Sequence, residues 1–263
     1  MKWIDVNAAA LRYELAGAGD KTLVLIHEMG GTLESWDHAL PDLAAGRRVL
    51  RYDTRGAGQS EKARGVLMFP TMAADIAALL DALGISGKVA LAGCAVGAGI
   101  ALTFAGIYPQ RTGAVVAMAP ATGMAADRRD GVLARVAHLE ATGMRAAVEE
   151  SFAASYPPEV RHDAEHFREF RTRWLANDPA SYATIYRMLV NADMAATLAK
   201  IACPVLAIAG THDKLRPPAV VEPIARTIPG CTFEALETGH FMAVQTPRIV
   251  AAAINRFLGP LGY

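Results

Sequence analysis

VALAGCAVGAG, residues 89–99, joins an apolar strand pattern directly to an apolar helix pattern through Gly-x-Ala-x-Gly. The same layout, with a nucleophile at its centre, forms a nucleophile elbow, a sharp strand-to-helix turn that projects one side chain into a cleft. Glycines on both sides let neighbouring backbone pass close to such a turn. Ala95 occupies the central position and has no lone pair with which to attack. We interpret it as the position of a replaced serine, in an inert variant of an enzyme.

Apolar runs on both sides of this segment predict a mostly parallel β-sheet. After an opening antiparallel hairpin near residues 3–6 and 11–15, such runs occur at 22–26, 49–52, 88–92, 114–118, 205–209 and 232–236. Short runs without alternation are typical of strands buried on both faces. Helical patterns fall between them at 34–44, 72–83 with Thr71 as N-cap, 96–107, 219–227 and 248–258. This alternation predicts an α/β fold with helices on both faces of the sheet.

The alternation is interrupted between about residues 123 and 200. This stretch has no convincing strand pattern, and its periodicity predicts several helices, for example over 163–174 and 181–189. It is too long for a loop, and strand signals resume after it. We therefore expect a core formed by residues 1–122 and 201–263, with a helical cap formed by residues 123–200.

Composition and charge favour a small-molecule partner. Hydrophobic residues make up 52% of the 263 residues, and 26 basic residues balance 26 acidic ones without long runs of either sign. Neither a nucleic acid nor an anionic membrane is indicated as a partner. There is no apolar signal segment and no stretch near the roughly 20 apolar residues that span a bilayer. Cys94, Cys203 and Cys231 have unrelated spacings, as expected of reduced thiols. We expect a soluble cytoplasmic protein, either a monomer or a homodimer.

Candidates for the remaining parts of a serine hydrolase site follow position 95 in the order nucleophile, acid, histidine. His240, in Glu-Thr-Gly-His-Phe, lies in the loop after the final predicted strand and is the candidate base. Asp213 follows the preceding strand and is the candidate acid, with an Asx-turn role as the alternative. The loop after residues 114–118 offers no carboxylate. The backbone amides of Met29 and Val96 are the candidate oxyanion donors.

These motifs resemble the α/β-hydrolase superfamily and, within it, the 3-oxoadipate enol-lactonase group. The resemblance covers nearly the whole chain and rests on the loop 27–36, RYDTRGAGQS at 51–60, the elbow at 93–97, the Asp213 turn, Gly239-His240 and, more weakly, the cap stretches 177–183 and 191–194. It implies a sheet domain under a helical cap and hydrolysis of an enol-lactone of aromatic catabolism. A serine at position 95 would attack, without a metal or an organic cofactor. Alternatives are a carboxylesterase, an amide, formyl or carbon–carbon bond hydrolase, or a naturally non-catalytic ligand-binding protein.

Three positions depart from the superfamily pattern: Ala95, Cys94 and Glu28. Cys94 lies one residue out of register with the glycines at 93 and 97, which favours a packed thiol over a second nucleophile. Glu28 stands where glycine is usual, beside the loop that would supply the Met29 amide. Its charge would oppose a developing oxyanion, so we expect it to be paired with Arg55 or turned away. Contact with substrate or proton transfer is the alternative.

Further substrate contacts are expected from the loops and the cap. Cap arginines could hold a substrate carboxylate, as an anionic lactone would require, and cap aromatic residues could line the same pocket. The candidates are His27, Glu28, Cys94, Arg135, Arg145, Trp174, Tyr182, Arg187 and Phe241. His162 and His166, four residues apart, have no third ligand nearby, which favours a solvated helix face over a metal site.

Overall fold

The computed structural model of the chain describes residues 2–263. Within them one sheet has the strand order β1-β2-β4-β3-β5-β6-β7-β8. The strands are β1 Lys2–Val6, β2 Ala9–Gly17, β3 Thr22–Ile26, β4 Arg48–Tyr52, β5 Val89–Cys94, β6 Thr112–Met118, β7 Val205–Gly210 and β8 Thr232–Leu236. Strand β2 pairs antiparallel with β1 and with β4, and the other neighbouring strands are parallel. The predicted fold class, a mostly parallel sheet flanked by helices, is confirmed.

Helices connect and cover these strands. The α-helices are α1 Leu40–Leu43, α2 Phe69–Ala82, α3 Val96–Ile107, α4 Ala126–Thr142, α5 Val148–Ser155, α6 Ala164–Leu175, α7 Pro179–Val190, α8 Ala195–Leu198, α9 Pro218–Arg226, α10 Met242–Gln245 and α11 Pro247–Leu258. Short 3-10 segments occur at Leu33–Trp36, Met144–Ala146, Pro158–Val160 and Gly259–Leu261. In the part of the chain described, no helix is both long and apolar enough to span a bilayer.

Three local expectations were wrong. The predicted helix over 34–44 is divided into the 3-10 segment Leu33–Trp36 and α1, which starts afresh with Pro41 in its first turn. Helix α2 begins at Phe69 with Met68 rather than Thr71 as N-cap, because Pro70 is tolerated in a first turn. Strand β8 is not buried on both faces, because it is the last strand at the edge of the sheet.

The core has two layers, one on each face of the sheet. Val24 and Ile26 of β3 pack in the cluster that contains α2 and α3, whereas Leu23 and Leu25 pack in the cluster that contains α1 and α11. Successive strand residues point to opposite faces, so a strand covered on both sides must be apolar throughout. This is why the central strands are recognisable from sequence.

All the elements between β6 and β7 are helical, as expected for residues 123–200, although the domain boundaries themselves stay a prediction. The cap helices contain an aromatic cluster of Phe152, Tyr156, Phe170 and Trp174, and Phe241 from the loop after β8 packs into it. The cap therefore lies over the ends of the strands that carry the candidate site.

His166 joins the cap to the core and does not lie on a solvated face, contrary to expectation. Its Nε2 lies 2.9 Å from the carbonyl oxygen of Val244, and its ring meets that of His38 edge-on with 4.3 Å between the ring centroids. The residue is half-buried because α6 packs against the segment that follows β8. Within residues 2–263 no group of three His, Cys, Asp or Glu side chains could hold a metal ion.

Candidate active site

Ala95 forms the tip of a strained turn between β5 and α3. Its φ of +51° and ψ of −112° lie in a region that residues with a Cβ rarely adopt, at a cost of about 1–3 kcal/mol. A Cβ built on Gly93 would lie 2.3 Å from the Gly97 carbonyl oxygen, and one on Gly97 would lie 2.5 Å from the His27 carbonyl oxygen. Both glycines are therefore required by close backbone approach. The turn has the elbow conformation, with alanine at its tip.

Three backbone hydrogen bonds hold this turn. The Ala95 amide donates to the Met118 carbonyl oxygen at 2.8 Å, and the Ala95 carbonyl accepts from the amides of Gly99 at 3.1 Å and Ala121 at 3.0 Å. The strain is thus imposed by the ends of β5 and β6 and by the start of α3. Ala95 lines a cavity of about 900 Å³ between the cap and the sheet.

His240 lines the same cavity and is held from behind by the buried Asp213. His240 Nδ1 lies 2.7 Å from Asp213 Oδ2, and Asp213 Oδ1 accepts from the amides of Leu215 at 2.8 Å and Arg216 at 2.9 Å. Burial by itself raises the pKa of Asp213, but the charge and hydrogen bond of His240 and the two amides outweigh it, so the pKa is lowered. An ionised Asp213 accepts the Nδ1 proton. His240 lines the cavity, and its Nε2 has no hydrogen-bond partner in the described chain.

The loop that carries His240 is attached both to a cap helix, α5, and to strand β5. The His240 amide donates to the Ser155 carbonyl oxygen of α5 at 3.2 Å, and the His240 carbonyl accepts from Cys94 Sγ at 3.2 Å. A Cβ on Gly239 would lie 2.7 Å from Gln245 Oε1, and Gln245 Nε2 donates to the same Ser155 oxygen at 2.9 Å. A side chain at position 239 would therefore have to displace the Gln245 amide group from Ser155.

The amides of Met29 and Val96 are available as oxyanion donors. Val96 is the first residue of α3, where an amide has no partner within its helix. Neither amide has a hydrogen-bond acceptor within residues 2–263, and both residues line the cavity. Two unpartnered amides on residues that line the same cavity as Ala95 and His240 are candidates for binding an oxyanion.

Glu28 lies behind the loop that carries the Met29 amide and does not line the cavity. Its Oε1 accepts from Ser35 Oγ at 2.7 Å, while the buried Oε2 has no partner in the described residues. The expected ion pair with Arg55 was wrong, because Arg55 binds both carboxylate oxygens of Asp75, at 3.0 and 2.7 Å. Glu28 thus tethers the turn at residues 28–35 through Ser35.

His27 and Cys94 also lie outside the cavity. His27 Nε2 accepts from the Thr54 amide at 3.0 Å, and its Nδ1 lies 2.7 Å from the Glu28 carbonyl oxygen, so both ring nitrogens are used in the scaffold. Cys94 is fully buried, and burial, with a contribution from the charge of Glu28, raises the pKa of its thiol well above the ordinary value. Its location is that of a packed thiol.

The cap candidates divide into two groups. Arg135, Trp174, Tyr182 and Phe241 line the cavity. Arg145 and Arg187 do not: Arg145 is exposed, and Arg187 forms a surface ion pair with Glu140. Helix periodicity alone cannot tell which arginines of an amphipathic cap face the ligand.

Arg216 is a cavity residue that the sequence analysis missed. Its backbone amide donates to the candidate acid at 2.9 Å, and its Nη2 donates to the Gly123 carbonyl oxygen at 3.3 Å. Its guanidinium forms no salt bridge within 4.0 Å among residues 2–263. Burial lowers the pKa of Arg216, partly offset by the charge of Asp213. An arginine three residues after the candidate acid was the available signal.

Known proteins share this architecture and sequence pattern. Residues 17–240 match the family described as serine aminopeptidase, S33. The putative carbamate hydrolase RutD of Azorhizobium caulinodans is 29% identical over 99% of both chains. The 3-oxoadipate enol-lactonase 2 of Acinetobacter baylyi is 27% identical over 97% of this chain and 96% of its own. A thermophilic esterase from Thermogutta terrifontis, solved with malate bound, is 26% identical with a TM-score of 0.91, covering 100% of this chain and 99% of its own.

One relative is matched only in part. The dihydrolipoyllysine-residue acetyltransferase component of the acetoin cleaving system of Pseudomonas putida is 42% identical over 120 residues, which is 44% of this chain. The match spans 32% of the length of that relative.

Proposed function

Because the chain belongs to the serine aminopeptidase S33 family and is an α/β-hydrolase of esterase or lactonase type, we propose that its cavity binds a small carboxylate-bearing ester or lactone. The observation that carries this proposal is that one cavity is lined by Ala95, by His240 held on Asp213, and by the residues of two unpartnered amides, Met29 and Val96. These parts surround the place where a carbonyl carbon would face position 95.

A serine at position 95 would complete covalent catalysis. His240 Nε2 would take the serine proton as the hydroxyl oxygen adds to the carbonyl carbon, and Asp213 would stabilise the imidazolium. The Met29 and Val96 amides would bind the oxyanion, and His240 would return the proton to the leaving oxygen. Water would then release the acid by the same steps. Alanine supplies no such oxygen, so this chain forms no acyl-enzyme at position 95.

The charges around the cavity support an anionic ligand. Its lining includes four arginines, Arg128, Arg129, Arg135 and Arg216, but only two carboxylates, those of Glu150 and Asp193. Arg135 forms a salt bridge with Glu150, whereas the Arg216 guanidinium forms none in the described chain, although the charge of Asp213 acts on it. A half-buried guanidinium without an acid partner gains most from a ligand carboxylate, which it can bind through two parallel hydrogen bonds.

Among such ligands, the similarity to the enol-lactonase of Acinetobacter baylyi favours an enol-lactone of aromatic catabolism. The similarity to a putative carbamate hydrolase makes amides and carbamates the second candidate substrate class. Hydrolysis of either substrate class would use position 95, His240, Asp213 and the two backbone amides. The residues that line the cavity would decide which class binds.

The test is Ala95→Ser, assayed on esters, lactones and carbamates in pairs that differ only by a carboxylate. We expect turnover on the order of 10³-fold or more above the parent chain on at least one substrate. Arg216→Met in that background should raise KM for the carboxylate member of a pair about 10-fold or more and leave the neutral member nearly unchanged. Arg145→Met, at an exposed position outside the cavity, is the matched control.

A folded Ala95→Ser protein that turns over no ester, lactone or carbamate, yet still binds a dicarboxylate, would overturn the hydrolase proposal. It would favour a ligand-binding protein that uses the same cavity without catalysis.

A further inference from the structure

We propose that the chain with Ala95 itself hydrolyses carboxylate-bearing esters, by a route in which His240 activates a water molecule directly and no covalent intermediate forms. This proposal rests on the proposed function for the position of the ester in the cavity. It adds an activity that does not depend on a nucleophile at residue 95.

The first support is the backbone at Ala95. An alanine at φ +51° and ψ −112° is strained, and the conformation has no nucleophile to present. The same turn, however, starts α3 at Val96, a residue that lines the cavity and whose amide has no acceptor within residues 2–263. The remaining task of the strained turn is to supply an oxyanion donor. That task serves any attack on a carbonyl carbon, whether by serine or by water.

The second support is the state of the histidine. The 2.7 Å contact to Asp213 occupies Nδ1 and leaves the lone pair of Nε2 on the opposite side of the ring, without a partner in the described chain. Asp213 is itself fixed by the amides of Leu215 and Arg216. A base held in one tautomer by an oriented, ionised carboxylate is as suited to water as to a serine hydroxyl.

The third support is space. Ala95 lacks the oxygen that would otherwise lie between His240 and the substrate, and the cavity that both residues line has a volume of about 900 Å³. A water molecule has a share of about 30 Å³ in the liquid, so ester and water can occupy the cavity together.

The proposed step is balanced without a co-reactant. His240 Nε2 removes a proton from water as its oxygen adds to the ester carbonyl carbon, and the carbonyl electron pair becomes the oxyanion held by the Met29 and Val96 amides. The oxyanion then re-forms the carbonyl, the bond to the leaving oxygen breaks, and that oxygen takes the proton from His240. One ester and one water give one acid and one alcohol.

Cys94 does not offer a covalent alternative. It is fully buried, its thiol donates to the His240 carbonyl oxygen at 3.2 Å, and it does not line the cavity. Attack by this thiol would require the elbow to rotate by one residue, against the hydrogen bond from the Ala95 amide to Met118.

The experiment measures release of p-nitrophenol from mono-p-nitrophenyl glutarate by the chain with Ala95, by His240→Gln and by His138→Gln. His138 is exposed on α4 and serves as the matched histidine control. We expect a rate above the protein-free rate, a loss on the order of 10²-fold in His240→Gln, and no change in His138→Gln. Time courses should have no burst, and acid-quenched protein should carry no glutaryl adduct by intact mass.

Equal rates for the parent chain and His240→Gln would overturn this inference, as would a glutaryl adduct on the parent chain. Glutarate binding by His240→Gln, measured by calorimetry, shows whether that variant keeps the cavity, and Asp213→Asn provides a second variant that should lose rate. An active Ala95→Ser protein beside an inactive parent chain would reject the water route and retain the proposed function. Failure of Ala95→Ser on all substrates would reject the proposed function instead.

Discussion

Gly97 shows how a single residue position holds the elbow in place. A Cβ at this position would lie 2.5 Å from the carbonyl oxygens of both Ile26 and His27, and neither backbone group can move without shifting β3. We predict that Gly97→Ala lowers the free energy of unfolding by about 2 kcal/mol or more, as expected for overpacking. Urea denaturation measures this change.

The matched control for that substitution is Gly131→Ala. Gly131 lies within α4, and a Cβ there would meet no atom within 4 Å. Alanine should therefore be neutral or raise the free energy of unfolding by up to about 1 kcal/mol. Equal stability of the two variants would contradict the assignment of Gly97 to close backbone contact.

Ser35 makes the only hydrogen bond of the Glu28 carboxylate among residues 2–263. We predict that Ser35→Ala lowers the free energy of unfolding by about 1–3 kcal/mol, because it leaves a buried carboxylate unpartnered. Thermal denaturation measures the loss, with Ser86→Ala at an exposed position as control. An unchanged melting temperature for Ser35→Ala would show that Glu28 does not depend on this tether.

At the scale of residues, the sequence predicted those site positions that the chain order determines. Ala95, Asp213 and His240 each follow a strand that is recognisable by its apolar run, so their neighbourhood at one sheet edge could be inferred. The partner of Glu28 could not be inferred from the sequence. Only the three-dimensional structure shows that Arg55 binds Asp75 and that Ser35 binds Glu28. Arg216 was missed because it lies in a turn. Turns have no periodic pattern from which the direction of a side chain can be predicted.

At the scale of elements, apolar runs predicted the strands, including the half-exposed edge strand β8. Strands β3 and β8 have the bounds that were predicted, and helix α3 does as well. For β3, a strong hydrophobic run between two packed layers leaves few alternatives. The segment 34–44 differs because an amphipathic pattern does not reveal that Pro41 starts a new helix. The sequence predicted the cap helices, but it did not predict which of their faces line the cavity.

His166 on α6 gives the cap–core contact a pH dependence. Burial, together with the charge of His38, lowers the pKa of His166, while Asp163 opposes this shift and Arg173 adds to it. The folded chain therefore binds fewer protons at this site than the unfolded chain, so stability falls as pH drops below about 6.5. We predict a smaller pH dependence of unfolding between pH 8 and 5 in His166→Gln.

The comparison for this prediction is His138→Gln, which removes an exposed histidine of the cap and should keep the parent pH dependence. If both variants lose stability with falling pH as steeply as the parent chain, His166 does not contribute to the pH dependence of the free energy of unfolding.

At the scale of the whole molecule, the site exists only where the cap meets the sheet domain. Ala95, Asp213 and His240 lie after β5, β7 and β8, whereas the cap supplies Trp174, Tyr182 and the Ser155 carbonyl that fixes the His240 loop. The loops after β5, β7 and β8 thus carry the candidate catalytic residues, whereas the cavity is lined both by the cap and by Arg216 from the loop after β7. Replacing the cap would therefore change the lining of the cavity and also remove the Ser155 carbonyl that holds the His240 loop.

The most direct test of the account is covalent labelling of Ala95→Ser by a fluorophosphonate, followed by intact-mass and peptide analysis. We predict one adduct per chain, on residue 95, and its loss when His240→Gln is added. The parent chain should not react. An unlabelled but folded Ala95→Ser protein would contradict the claim that residue 95 faces an oriented base and an oxyanion site, and so would equal labelling of the parent chain.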